Sequence, residues 1–190
     1  MAGYLRRNAF TILLVLAAVT LWVSPDAKAW VLTRLMSIGL FKAEISQQPP
    51  ADKSVSDFSF EDENGGQVHT SSLRGKVVFI NFWASWCPPC RAEFPSIEKL
   101  YGKLKDNPNV FFLTLNEDSD GAAAKAYLRR ENFSIPLYKV QGNVSSSIYS
   151  GTLPTTVVLD KTGKVRLHKE GFANYGTGKF LQQIQDLINE

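Results

Sequence analysis

The run Val77, Val78, Phe79, Ile80, Asn81, Phe82, Trp83 constrains the fold of this chain more than any other segment. A short apolar run, rich in β-branched and aromatic residues and broken only by Asn81, predicts a strand covered on both faces. Such a strand sits inside a sheet, and the rest of the chain must supply the layers that cover it. After it, Ile97, Leu100 and Leu104 recur at spacings of three and four, which predicts a helix over 91–105. Pro88 suits the first position of that helix, and Pro95 within it is expected to cause a kink. Strands are expected at 57–60 and 67–70, joined as a hairpin across Gly65 and Gly66, and at 110–115. Another at 155–159 turns through 160–163 into 164–169. Helices are expected at 121–131 and 177–188. Strands and helices alternating around one apolar strand give an α/β sandwich.

Between the apolar strand and the helix lie Trp86, Cys87, Pro88, Pro89 and Cys90, which include both cysteines of the chain. Two cysteines build neither a disulfide scaffold nor a four-ligand zinc site, so they are either a redox pair or two buried thiols. Their position at a helix N-terminus favours the redox pair. Free amides and partial positive charge there lower a thiol pKa, and the thiolate is the nucleophile. Cys87, flanked by Trp86 and left uncovered by the helix, is expected to attack. Cys90, one turn in, is expected to be buried and to resolve the mixed disulfide. The two prolines remove two amide donors, which leaves the Cys90 amide as the main partner of the Cys87 sulfur.

Charge excludes other classes. The chain has 21 basic and 18 acidic side chains, of which Arg6, Arg7, Lys28, Arg34, Lys42, Asp26 and Glu44 precede residue 51. The remainder is neutral and offers no basic face for nucleic acid. Glu61, Asp62 and Glu63 read as solvated turn residues. His69 and His168 have no neighbours at ligand spacing, so structural roles are expected and no metal site.

Residues 1–29 read as an export signal or membrane anchor: a short basic start followed by a nearly continuous apolar run over 8–24. Ala27, Lys28 and Ala29 form a small-x-small pattern, at which cleavage would leave a periplasmic chain beginning at Trp30. Residues 30–54 read as a juxtamembrane helix and linker. Trp30, Val31, Leu32, Leu35, Met36, Ile38, Leu40 and Phe41, with Arg34 and Lys42 among them, either lie at a membrane interface or pack on the domain. Pro49 and Pro50 mark an extended linker over 46–54, and residues 55–190 form the domain. The positive charge before the apolar run places that domain on the outer side of the cytoplasmic membrane.

The stretch from Gly75 to Pro95, centred on Trp83, Ala84, Ser85, Trp86, Cys87, Pro88, Pro89 and Cys90, together with Leu153, Pro154 and Thr155, resembles the thioredoxin superfamily. Within it the resemblance is to the membrane-tethered TlpA and ResA group of bacterial disulfide reductases, over about residues 55–190. The resemblance implies a thioredoxin-like three-layer sandwich with a central mixed sheet, an N-terminal β-hairpin and a central insertion between Asn116 and Pro154. It implies a thiol-disulfide oxidoreductase without a cofactor, acting on disulfides of exported proteins in the cell envelope, in the reducing direction, with electrons from a membrane thiol donor protein. Pro154 matches a cis-proline that faces the cysteine pair, and the backbone of Leu153 matches the segment that pairs with substrate. Trp86, Pro88 and Pro89 complete the expected substrate contacts. Cytoplasmic thioredoxins carry a buried aspartate where this chain has Asn81, which makes Glu93 the candidate proton acceptor. Two alternatives on the same fold fit less well. A peroxiredoxin-like thiol peroxidase would carry a proline and a threonine or serine where Ile80 and Ala84 stand. A copper-binding chaperone would carry CxxxC and a placed histidine.

Overall fold

The computed structural model describes residues 2–39, 41–45, 57–62 and 64–190. The expected linker over 46–54, the domain start at Val55, and Leu40 and Glu63 lie outside the described residues.

Two N-terminal helices, α1 (Ala2–Val23) and α2 (Pro25–Ser37), precede the sheet. The strands are β1 (Ser59–Glu61), β2 (Gln67–His69), β3 (Val77–Trp83), β4 (Val110–Asn116), β5 (Tyr138–Gln141), β6 (Thr155–Leu159) and β7 (Val165–Glu170). Helices α3 (Pro88–Leu104), α4 (Gly121–Arg130) and α5 (Gly178–Asn189) complete the domain. The strands form one mixed sheet in the order β2-β1-β5-β4-β3-β6-β7. The expected strand over 77–83 is β3, and all seven of its residues are buried. It runs parallel to β4 and antiparallel to β6. This is a thioredoxin-like α/β fold with the expected hairpin, β1 with β2, at one edge.

Alternation along β3 sorts the core. Val77, Phe79 and Trp83 face a layer that contains Phe94 and Ile97 of α3, Tyr127 of α4 and Phe180 of α5. Val78, Ile80 and Phe82 face the other side, where Leu73, Ile148 and Tyr149 from a short 3-10 turn and a loop cover the sheet. Each fully buried aromatic of this kind contributes about 1.5–3 kcal/mol, so β3 is the mechanical floor on which the site stands. Asn81 belongs by parity to the helix-covered face, and it is a buried polar residue there.

Strand β5 has no counterpart among the expected elements. It lies in the central insertion, parallel to β4 and antiparallel to β1, and so joins the hairpin to the rest of the sheet. Side chains set the helix starts: Asp120 accepts from the Ala122 amide and Thr177 from the Phe180 amide. Pro95 does not end α3. The Arg91 carbonyl, which a proline at 95 leaves without its helical donor, lies 3.5 Å from the Tyr127 hydroxyl that donates to it.

The N-terminal segment forms two helices that meet at a bend. From Asn8 to Val23, apolar side chains such as Phe10, Leu13 and Trp22 are exposed. After Ser24, which caps α2 by accepting from the Ala27 amide, the chain turns sharply. Helix α2, which includes residues 29 and 30, packs on α3 through Ala29, Met36 and Ala92. Among the described residues no single helix is long and apolar enough to cross a membrane. The pair Asn8–Val23 and Pro25–Met36, bent by 97°, passes together by length and composition.

Candidate active site

Cys87 occupies the N-cap position of α3, with extended backbone dihedrals, and Pro88 and Pro89 fill the first two helical positions. Prolines are tolerated there because those amides have no helical acceptor. The first available amide, that of Cys90, donates to Cys87 Sγ at 3.2 Å. The two cysteines form a disulfide with their Cα atoms 5.3 Å apart. Both sulfur-bearing residues are buried, Cys87 at 3% exposure and Cys90 at 0%. The expected contrast between an outer and an inner cysteine is therefore small here, since Cys87 belongs to the same core cluster as Cys90, Trp83 and Phe94. Trp86 alone projects outward, 61% exposed.

Glu93 is fully buried one turn beyond Cys90. Its Oε1 accepts from Asn81 Nδ2 at 2.8 Å and its Oε2 from the Ala173 amide at 3.2 Å. Asn81 Nδ2 also donates to Thr156 Oγ1 at 2.9 Å, which ties the carboxyl to β3 and β6. Burial raises the Glu93 pKa to about 8, with the Asn81 and Ala173 hydrogen bonds pulling against it. Tyr175, also buried, has its phenol held far above the usual range by burial and then by the charge of Glu93. The resemblance named Glu93 as a candidate and nothing in the sequence named Tyr175, whose position follows only from the tertiary fold.

The loop after β4 braces the loop that carries the cysteines. Asp118 Oδ1 accepts from the Ser85 amide at 2.9 Å, and the Glu117 amide donates to the Trp83 carbonyl at 2.9 Å. Asp118 is buried, and its Oδ2 has no hydrogen-bond partner among the described residues. This residue was also missed, and an acid following a strand carries no local signal of such a role. On the other side of β3, Phe82 pairs with Thr155, so Pro154 stands at the cysteine end of the sheet. The Leu153–Pro154 peptide bond is cis. Leu153 packs against the core from both sides of the sheet. Elsewhere, His69 lies against Asp57 and Ser59, and His168 against the Ile148 carbonyl, away from the cysteines.

A disulfide at a helix N-terminus, a buried carboxyl one turn behind it and an exposed aromatic beside it form the chemistry of dithiol exchange. Comparison with known proteins agrees: residues 50–177 match the redoxin family. The chain belongs to the redoxin family. It is 31% identical over 137 residues to the thiol-disulfide oxidoreductase ResA of Halalkalibacterium halodurans, covering 71% of this chain and 77% of that relative. It is 35% identical over 114 residues to ResA of Bacillus cereus, covering 60% and 65%. Among solved structures, a protein of Chlorobium tepidum assigned as thiol:disulfide interchange protein DsbE superposes with a TM-score of 0.61 at 27% identity. That match covers 74% of this chain and 99% of the other. This redoxin is thus a ResA- and DsbE-like thiol-disulfide oxidoreductase of the thioredoxin superfamily, and its relatives imply disulfide-containing protein substrates.

Proposed function

We propose that this redoxin reduces disulfides of exported proteins, with Cys87 as nucleophile and Cys90 as resolving cysteine. The hydrogen bond from the Cys90 amide to Cys87 Sγ carries this reading, because that amide and the helix N-terminus behind it stabilise a thiolate at Cys87 rather than at Cys90. In the forward step the Cys87 thiolate attacks one sulfur of the substrate disulfide, and the other leaves as a thiolate. Cys90 then gives its proton to Glu93 and attacks Cys87 Sγ, releasing the second substrate sulfur and leaving the Cys87–Cys90 disulfide. The proton taken by Glu93 ends on a departing substrate thiolate. A Glu93 pKa of about 8 suits this traffic, since it makes the buried carboxylate a far stronger base than an exposed one.

Trp86, Pro88, Pro89, Leu153 and Pro154 are assigned as the substrate contacts. Trp86 supports this by its exposure, and Pro154 by its register at the cysteine end of β3. Residues 1–29 are assigned as a retained membrane anchor, residues 30–54 as a juxtamembrane segment and residues 55–190 as the catalytic domain on the outer side of the cytoplasmic membrane. The exposed apolar surface of α1 supports the anchor. A membrane thiol donor protein then resupplies electrons. The deciding experiment is acid trapping and alkylation of Cys87 and Cys90 in intact cells: mostly reduced thiols are expected, and mostly oxidised ones would make the protein an oxidase. Intact-mass analysis of the membrane fraction tests the anchor, and a chain starting at Trp30 would remove it.

A further inference from the structure

Helix α2 has two distinct faces. Its inner face carries Asp26, Ala29, Thr33 and Met36. Ala29 and Met36 are buried against Ala92 of α3, and the Thr33 hydroxyl donates to the Ala92 carbonyl at 3.2 Å. Asp26 pairs with Arg91, and with Arg130 at 3.0 Å, while the Arg91 guanidinium lies 4.9 Å from the Tyr127 ring centre. The segment after α2 continues the grip: the Ala43 amide donates to the Asn174 carbonyl at 3.2 Å, and Ile45 exchanges hydrogen bonds with the Gln183 side chain. A tether of this kind is a docked strap rather than a loose string.

The outer face is of another character. Trp30, Arg34 and Ile38 recur every four residues, with Lys28 and Leu35 beside them, and all five are exposed. Trp30 is 61% and Ile38 73% exposed, and Arg34 lies 5.3 Å from the Trp30 ring centre. The acidic side chains within and just after α2 are engaged elsewhere: Asp26 is turned to Arg91, and Glu44 pairs with Lys179 at 2.9 Å. An amphipathic helix with an aromatic, aliphatic and basic outer face suits a lipid surface with anionic headgroups.

We propose that the outer face of α2 lies on an anionic bilayer surface while its inner face holds α3, so that the cysteine pair is presented at the membrane with a fixed orientation. The inference rests on the reading of α1 as the membrane anchor. The apolar run over 8–24, at about 1.5 Å per residue, lies at the short end of the hydrocarbon thickness. The 97° bend then turns α2 into the membrane plane. The bend also lies beside the redox pair, because Asp26, just past it, pairs with the residue that follows Cys90. Lys42, exposed beyond the end of α2, adds positive charge next to the same surface.

The test uses the full chain in nanodiscs of phosphatidylcholine with phosphatidylglycerol, with plain or brominated acyl chains. Comparing wild type with Trp22→Phe isolates the emission of Trp22 in α1, and comparison with Trp30→Phe isolates that of Trp30. Both are expected to fall roughly twofold with brominated lipid, since an interfacial helix sinks its apolar face below the headgroups. Hydrogen exchange in the same nanodiscs should show the amides of residues 29–36 protected. Quenching of Trp22 without Trp30, or quenching of Trp30 with unprotected α2 amides, would overturn the strap and leave the anchor standing. Absence of quenching at both tryptophans would overturn the anchor and the strap together.

Discussion

Asn81 Nδ2 and Glu93 Oε1 lie 2.8 Å apart, both buried on the helix-covered face of β3. A residue of the central strand thereby fixes the buried carboxyl one turn behind Cys90, the group that takes the proton in the proposed mechanism.

The pH dependence of stability is the first consequence. Glu93 has a folded pKa near 8 against an ordinary 4.5, so between those values the folded state keeps a proton that the unfolded state has lost. Stability is fully retained below about pH 4.5 and declines as pH rises to about 8, where the loss is complete. Urea midpoints of the oxidised protein across that window should fall in the wild type and stay level in Glu93→Gln. A flat wild-type profile would mean that Glu93 is ionised where it sits.

The same substitution reports on the thiols. A carboxylate near the cysteine pair opposes thiolate formation, so Glu93→Gln is expected to lower the thiol pKa while slowing exchange, by up to roughly the 10²–10⁴-fold that a general base typically supplies. Alkylation rate against pH, measured beside turnover on a disulfide substrate, separates the two effects. Unchanged values of both would reduce Glu93 to a structural residue.

Assignment of the nucleophile is tested by trapping. Cys90→Ser should accumulate mixed disulfides with substrates on non-reducing gels, and Cys87→Ser should give none. The opposite pattern would exchange their roles.

Asp118 holds the Ser85 amide two residues before Cys87. Asp118→Ala leaves that amide without its acceptor and should cost about 1–3 kcal/mol, while Asp118→Asn keeps an acceptor and should lose less. Chemical unfolding compares the two, and equal losses would show that packing rather than the hydrogen bond matters.

Replacing Asn81 by aspartate would set two carboxyls at hydrogen-bond distance in the core. They can share one proton, but the second ionisation is strongly opposed. Asn81→Asp is expected to be tolerated at low pH and to unfold more readily than wild type above neutrality. A thermal midpoint indifferent to pH would show that the pocket admits water or a counter-charge.

Much of this was legible in the sequence, for identifiable reasons. Strand β3 announced itself because a strand covered on both faces needs an apolar side chain at nearly every position, and the cysteines acquired their helix N-terminus from the two prolines that follow Cys87. Glu93 was reachable only through resemblance, since a helix glutamate is far more often solvated. Strand β5 escaped because Tyr138, Lys139, Val140 and Gln141 are too few to set a period, and they become a strand only by pairing with β1 and β4. The brace from Asp118 to Ser85 and the grip of α2 on α3 are contacts between distant segments. The apolar residues of α2 did not reveal which would meet α3, and the structure divides them, with Met36 inside and Trp30 outside.

Helix α3 begins at a residue whose chemistry changes with every turnover. A thiolate at Cys87 accepts the Cys90 amide more strongly than a disulfide sulfur does, so reduction tightens the cap and oxidation loosens it. Fold stability and electron affinity are two sides of one thermodynamic cycle, and stability gained on reduction raises the potential of the couple by about 30 mV for each 1.4 kcal/mol. Any change that makes the first turn of α3 easier or harder to form in one oxidation state alone will therefore retune the enzyme as an electron carrier, without touching either sulfur.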